Sequence, residues 1–163
     1  MKEKRCFGVF LRISNGGNVE YYIDTSYLIC LTSKQDVSSS ALDFLEEKLS
    51  SGDHFVTGTI TFLEWERAGS AIGHSRESIL ADCEILESLF AEVFPFGWKD
   101  WQRARSYSDG HGLSLSLACH AASARGNGVD RILSIRNDYR KVPGLTPAGP
   151  ILTEGDTWKK RLH

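Results

Sequence analysis

Short β-rich runs alternate along the chain with segments in which apolar residues recur every three or four positions. Residues 19–23, 54–57 and 131–135 are such runs and predict three strands. Apolar residues with helical spacing predict helices near residues 25–31, 38–50, 59–71, 79–93, 98–104 and 113–125. Strands that alternate with helices in this way predict an α/β fold with a mainly parallel central sheet.

Charged residues follow two of the predicted strands. Asp24 comes directly after the strand at 19–23, and Arg136 comes directly after the strand at 131–135. Ligands of parallel sheets bind outside the carboxyl ends of the strands. We therefore expect Asp24 and Arg136 to border one cleft.

The predicted helix at 59–71 contains a carboxylate in an unusual position. Ile60, Leu63, Ala68 and Ala71 form its apolar stripe, and Glu64 lies four residues from both Ile60 and Ala68. A carboxylate that faces a core needs a partner, because a buried charge without one is costly. Glu64 is therefore expected to be paired or to belong to a site.

Composition narrows the class of protein. The 163 residues suffice for one domain with its own core, so no disulfide or metal is required for folding. The four cysteines form no CxxC pair, and the five histidines lack zinc spacing.

No apolar run approaches the roughly 20 residues that span a membrane. The charged start and its short apolar stretch do not resemble a signal peptide, which predicts a cytoplasmic protein.

Charge is distributed unevenly along the chain. Residues 1–97 hold 8 Lys and Arg against 15 Asp and Glu, whereas residues 98–141 hold 8 against 4. This asymmetry permits a basic face on an acidic body, or a scatter of charges over the surface. Trp98 and Trp101, interleaved with Arg103 and Arg105, favour a core or dimer interface, with base stacking as the alternative.

Three motifs occur in a characteristic order. Asp24-Thr25-Ser26 follows a strand, residues 59–64 read TITFLE, and residues 112–145 read GLSLSLACHAASARGNGVDRILSIRNDYRKVPGL. Together they resemble the PIN-domain family, which includes VapC-like ribonuclease toxins of bacterial toxin–antitoxin pairs. The resemblance implies a three-layer α/β/α sandwich over residues 19–147. Residues 1–18 would then be an N-terminal extension or hairpin arm, and residues 148–163 a C-terminal tail.

The resemblance also implies an active site. Asp24 and Glu64 would be the catalytic residues and would hold Mg²⁺ or Mn²⁺, which activates water for phosphodiester hydrolysis. RNA would be held by the basic C-terminal half. An antitoxin-type protein partner and a homodimer are also expected, and no membrane partner. The side chains expected to contact substrate are Thr25, Ser26, Ser134 and Arg136.

Two of the family's four acidic positions carry other residues. Leu117 occupies the third and offers no ligand, and Arg136 occupies the fourth. Arg136 would repel a divalent ion, or pair with Asp24 or Glu64 in the place of the ion. Asp109, in a predicted loop before the last long helix, is the best candidate for a replacement acid.

These departures predict a PIN-like endoribonuclease-type domain that is weakened or inactive, with Mg²⁺ or Mn²⁺ as cofactor only if it is active. The alternative is a non-catalytic module that binds RNA or protein. A third option is a regulatory protein whose partner covers the vacated cleft.

Simpler structural roles compete with these assignments. Thr25 or Ser26 is expected to cap a helix, and Asp24 has the same capacity. Glu64 would then be a buried carboxylate satisfied by backbone or Arg. His120 is expected to be a packed histidine rather than a catalyst.

Overall fold

A computed structural model describes residues 19–32 and 36–149. The strands in this part are β1 (Glu20–Ile23), β2 (His54–Gly58), β3 (Glu92–Phe94), β4 (Arg131–Leu133) and β5 (Thr146–Ala148). The helices are α1 (Thr25–Thr32), α2 (Asp36–Ser50), α3 (Thr59–Ala71), α4 (Arg76–Leu89), α5 (Trp98–His111) and α6 (Leu115–Gly126), with a 3₁₀ helix at Asn137–Lys141. The predicted arm at 1–18 and nearly all of the predicted tail lie outside the described residues.

All five strands pair in parallel, in the order β3-β2-β1-β4-β5. Strand β1 is central, with Tyr22 level with Val56 on one side and Ile132 on the other. A central parallel strand is covered on both faces, which explains why Tyr21, Tyr22 and Ile23 are all apolar or aromatic and buried. The predicted mainly parallel α/β sheet is confirmed.

Helices cover both faces of the sheet. Successive residues of β1 point to opposite faces, so Tyr22 packs with α5 and α6, whereas Tyr21 and Ile23 pack with α1 and α2. The predicted three-layer α/β/α architecture is therefore confirmed. Within the described ranges, no helix is long and apolar enough to cross a bilayer.

Two boundaries differ most from those that the sequence predicts. The helical pattern that continues to Val93 breaks at Leu89, and residues 92–94 form the edge strand β3. A three-residue edge strand with one buried residue, Phe94, gives almost no alternation to detect. Helix α5 continues to His111 through the predicted loop and ends at Gly112, whose φ of 65° suits glycine.

The predicted buried stripe of α3 is wrong. Leu63 is 71% exposed and Ala71 is also exposed, whereas Thr61 and Gly69 are buried. Thr61 shares a hydrogen bond of 2.7 Å with the Thr57 hydroxyl, which satisfies a polar group in the interior. Helix α3 therefore turns its small and polar residues inward, and apolar periodicity misplaces its face.

Candidate functional site

Asp24 lies directly after β1, at the carboxyl end of the sheet, and is 1% exposed. Its Oδ1 accepts hydrogen bonds from the Ser26 hydroxyl at 2.7 Å and the Tyr27 N–H at 3.0 Å. Its Oδ2 accepts from the Ser134 hydroxyl at 2.6 Å and the Tyr139 hydroxyl at 2.9 Å. A carboxylate offers about four lone-pair positions, so these four donors use the acceptor capacity of Asp24.

The bond from Tyr27 identifies the cap of α1. A side-chain oxygen that accepts from the N–H three residues later in the chain satisfies one of the unpaired N–H groups of the first helical turn. Asp24 therefore caps α1, and the prediction that Thr25 or Ser26 caps it is wrong. Both hydroxyls are used instead to hold carboxylates.

Ser134 connects Asp24 to the loop after β4. Its Oγ also accepts from the Arg136 N–H at 2.9 Å, so the backbone of Arg136 borders the same cleft as Asp24. The Arg136 side chain is exposed and forms no ion pair with any residue of the described ranges. The predicted pairing of Arg136 with Asp24 or Glu64 is thus not formed, since both carboxylates already have internal donors.

Glu64 reaches from α3 towards α1 and α6. Its Oε1 accepts from the Ser116 hydroxyl at 2.5 Å. Its Oε2 accepts from the Thr25 hydroxyl at 2.5 Å and from Nε2 of His120 at 2.9 Å. Because Thr25 adjoins Asp24 in the chain, the structure brings the two predicted carboxylates into one site.

His120 is 1% exposed and both of its ring nitrogens are engaged. Glu64 as a carboxylate only accepts hydrogen bonds, and the Thr25 hydroxyl already donates to it, so Nε2 of His120 carries a hydrogen. Nδ1 lies 3.0 Å from the Tyr22 hydroxyl. In the neutral imidazole, Nδ1 accepts the Tyr22 proton, which fixes the ring from both sides.

Electrostatics set the protonation of the site. Burial raises the pKa of Glu64, but the hydrogen bond and attraction of His120 and the hydroxyls of Ser116 and Thr25 outweigh it, and lower the pKa to about 2. Burial, followed by the charge of Asp24, raises the pKa of Tyr139 well above its ordinary value. Glu64 is therefore an anion at neutral pH, and the phenol of Tyr139 keeps the proton that it donates to Asp24.

The donor set does not fit a divalent ion in this arrangement. The four carboxylate oxygens accept seven hydrogen bonds from the protein. Leu117 packs against the core and supplies no oxygen, and Asp109 is exposed in the last turn of α5 rather than in a loop before α6. Among the residues described, no three His, Cys, Asp or Glu side chains are placed to share a metal. A hard cation that needs several oxygen ligands would have to displace these bonds.

Sequence reasoning placed Thr25, Ser26 and Ser134 at this site, and all three contact its carboxylates. It missed Ser116 and Tyr139 as site members and expected of His120 only packing. Ser116 and His120 lie four residues apart, so they share one face of α6. This four-residue spacing was the signal in the sequence that could have placed Ser116 and His120 at the same site. Neither missed residue belongs to a motif that the sequence singled out for chemistry, and their partners lie 52 residues away for Ser116 and 115 for Tyr139.

A family model described as PIN domain matches residues 21–145. No curated protein gives a significant match.

Solved structures share the fold at low sequence identity. The VapBC2 structure of Rickettsia felis, bound to a DNA fragment from its promoter, has a TM-score of 0.63 at 17% identity, covering 80% of this chain and 98% of that one. VapC20 of Mycobacterium tuberculosis, described as a toxin that cleaves the sarcin-ricin loop, has a TM-score of 0.62 at 18% identity, covering 80% and 99%. FitAcB of Neisseria gonorrhoeae has a TM-score of 0.58 at 19% identity, covering 78% and 95%. At these identities the likeness shows the fold alone.

Proposed function

Because the chain belongs to the PIN domain family, we propose that it is an RNA-binding PIN domain whose metal-dependent ribonuclease activity is weak or lost. The observation that carries the proposal is the state of Asp24 and Glu64, whose oxygens accept seven internal hydrogen bonds. Leu117 and Arg136 add no oxygen to them. Metal-assisted hydrolysis needs an ion that polarises the phosphoryl oxygen, and this donor set gives such an ion no ready place.

Exposed cations and an exposed aromatic residue support RNA as the ligand. Arg136 and Arg140 are exposed in the loop and 3₁₀ helix after β4, at the end of the sheet where Asp24 lies. Trp98 is 70% exposed beside Lys99 at the start of α5, so it is not a core residue, one of the two roles that its spacing favoured besides a dimer interface. Cations contact phosphates and exposed rings stack on bases, which together suit single-stranded RNA.

Binding and cleavage of a labelled single-stranded RNA test this proposal. We expect binding that persists in a metal chelator and little or no cleavage with Mg²⁺ or Mn²⁺. Arg136→Ala should weaken binding several-fold, because it removes a phosphate contact. Arg76→Ala, which removes an exposed arginine at the start of α4, is the matched control and should leave binding unchanged.

Two results would contradict the proposal. One is efficient Mg²⁺-dependent cleavage that disappears in Asp24→Asn, which would establish an active ribonuclease. The other is tight, stoichiometric Mn²⁺ binding by the native chain in calorimetry. Absence of any RNA binding would instead favour the protein-binding alternative.

A protein partner of the antitoxin type is the second candidate function, and an apolar groove favours it. The groove lies between α1, α3 and α4 and is almost entirely apolar. Ile85 in its wall is 44% exposed. Exposed apolar surface of this kind marks sites of protein association. The other lining residues are Leu28, Leu31, Thr32, Trp65, Asp82, Leu86 and Leu89.

Photo-crosslinking in the native cells tests the groove. A crosslinker at position 85 should capture one stoichiometric companion, whereas a crosslinker at Leu80 should not, although Leu80 is 53% exposed on the same helix. Equal capture from both positions would show that the groove is not the contact surface.

A further inference from the structure

The imidazole of His120 differs from the other side-chain donors around the two carboxylates. The other side chains that donate to Asp24 and Glu64 are hydroxyls, which rotate freely about their C–O bonds. A hydroxyl that meets a cation can turn its hydrogen away and present its oxygen as a ligand. An imidazole N–H lies in the plane of the ring and has no such freedom.

The surroundings of His120 also prevent the ring from adapting. Tyr22, which is 0% exposed, holds Nδ1 at 3.0 Å, and Glu64 and Thr25 lie at 2.9 and 3.3 Å from Nε2. Turning the ring over would move Nδ1 away from Tyr22 and Nε2–H away from Glu64, and would break both of these hydrogen bonds. Moving the hydrogen to Nδ1 would leave Nε2 and the Glu64 carboxylate facing each other as two acceptors with no hydrogen between them.

We propose that His120 is a positioning residue that, pinned by Tyr22, holds Glu64 in the place where a divalent ion would otherwise hold it. This inference rests on the proposed function, in which the site works without such an ion. It goes further by naming a barrier to metal binding that the two missing acids do not explain. Restoring those acids alone would leave the Nε2–H aimed at the Glu64 carboxylate.

The experiment uses a parent variant in which both acids are restored, Leu117→Asp with Arg136→Asp. Mn²⁺ affinity is measured by calorimetry and by electron paramagnetic resonance of the bound ion. Adding His120→Ala should tighten Mn²⁺ binding at least tenfold, because it removes the fixed donor from Glu64. Adding Tyr22→Phe should tighten it by a smaller factor, because the ring, without its bond at Nδ1, can turn its Nε2–H away from Glu64.

Ser70→Ala in the same parent is the control. Ser70 is exposed on α3, six residues beyond Glu64, and its hydroxyl donates to Glu66 rather than to Glu64. It should leave the Mn²⁺ affinity of the parent unchanged. Equal affinities in the His120→Ala, Tyr22→Phe and Ser70→Ala variants would overturn the inference.

A measurement on the native chain covers the case in which His120→Ala does not fold. Long-range ¹H–¹⁵N spectra of the imidazole should show the hydrogen on Nε2, and a neutral ring protonated on Nδ1 would overturn the inference. The proposed function and the proposed role of His120 can be refuted separately. Tight Mn²⁺ binding by the unaltered chain would refute the proposed function, whereas equal affinities within the acid-restored series would refute only the role of His120.

Discussion

The two carboxylates of the site are held in different ways. Asp24 is 1% exposed and is tied to the ends of β1 and β4, the first turn of α1 and the 3₁₀ helix. The side chain of Glu64 is 33% exposed and is held only by side chains from α1 and α6. Asp24 is therefore bonded by groups at the ends of the sheet and of two helices, whereas Glu64 is bonded by side chains alone.

The two carboxylates therefore contribute differently to the stability of the fold. Removal of Asp24 leaves several buried donors without an acceptor, which costs stability. Removal of Glu64 leaves one exposed donor, Ser116, which water can satisfy, and two buried donors, Thr25 and His120. A residue retained at the Asp24 position is therefore no proof of catalysis, because the fold needs its oxygens in any case.

The largest effect is expected for Asp24→Ala. Four donors lose their acceptor, three of them hydroxyls that can turn to other partners, and the free energy of unfolding should fall by about 3 kcal/mol. Asp24→Asn keeps one acceptor oxygen and its amide can donate to the Ser134 and Tyr139 hydroxyls, so its loss should be about 1 kcal/mol. Urea unfolding of both variants measures the two values. Equal losses would show that charge, rather than the number of acceptors, matters at this position.

Tyr139→Phe should follow in size. It deletes one hydrogen bond to a buried carboxylate, Tyr139 Oη to Asp24 Oδ2 at 2.9 Å. Bonds to charged groups contribute about 1.5–3 kcal/mol, so we expect a loss of about 2 kcal/mol in urea unfolding. A loss below about 0.5 kcal/mol would mean that the remaining three donors satisfy Asp24 by themselves.

The carboxyl ends of β1 and β2 were predictable to within one residue, because a helical pattern follows each β-rich run, whereas β4 ends at Leu133, two residues before the predicted end. Asp24 and the backbone of Arg136 meet at one cleft, as parallel strand order requires. The inward face of α3 was not predictable, since Thr61 and Gly69 are buried for reasons of contact rather than hydrophobicity. Gly69 lies where a Cβ would come within 3.0 Å of Cγ1 of Ile79, a tertiary fact that its sequence neighbours do not encode.

The same limit applies to the site. Motif order located Asp24, Thr25, Ser134 and Glu64, because these residues sit at element ends or in a recurring segment. The protonation pattern around His120 depends on a tyrosine 98 residues away in the chain. Such a pairing exists only after the sheet and α6 have packed, so local periodicity carries no trace of it.

Tyr22→Phe is the counterpart of the Tyr139 variant on the Glu64 side. It removes a bond in which no carboxylate takes part, between Tyr22 Oη and His120 Nδ1 at 3.0 Å, from a fully buried position. The ring can keep its hydrogen bond to Glu64, so we expect a loss of about 1 kcal/mol, smaller than for Tyr139→Phe. Urea unfolding of the two variants under the same conditions checks the order. A reversed order would mean that the Glu64 half is the more rigid of the two.

The smallest effect concerns pH and belongs to Glu64 alone. Its pKa in the folded chain is about 2 against an ordinary value of 4.5. A carboxyl with a lowered folded pKa stabilises the protein above its unfolded pKa and loses that contribution as pH falls through the folded pKa. The gap in unfolding free energy between the native chain and Glu64→Gln should therefore be constant above about pH 5 and shrink between about pH 4.5 and 2.

Urea unfolding at stepped pH measures this gap. Glu66→Gln, an exposed change on the same helix, is the control and should follow the native profile. Because the Glu64 side chain is 33% exposed, solvent screening keeps the gap small. A gap that stays constant down to pH 2 would show that His120, Ser116 and Thr25 do not hold Glu64 in its charged form.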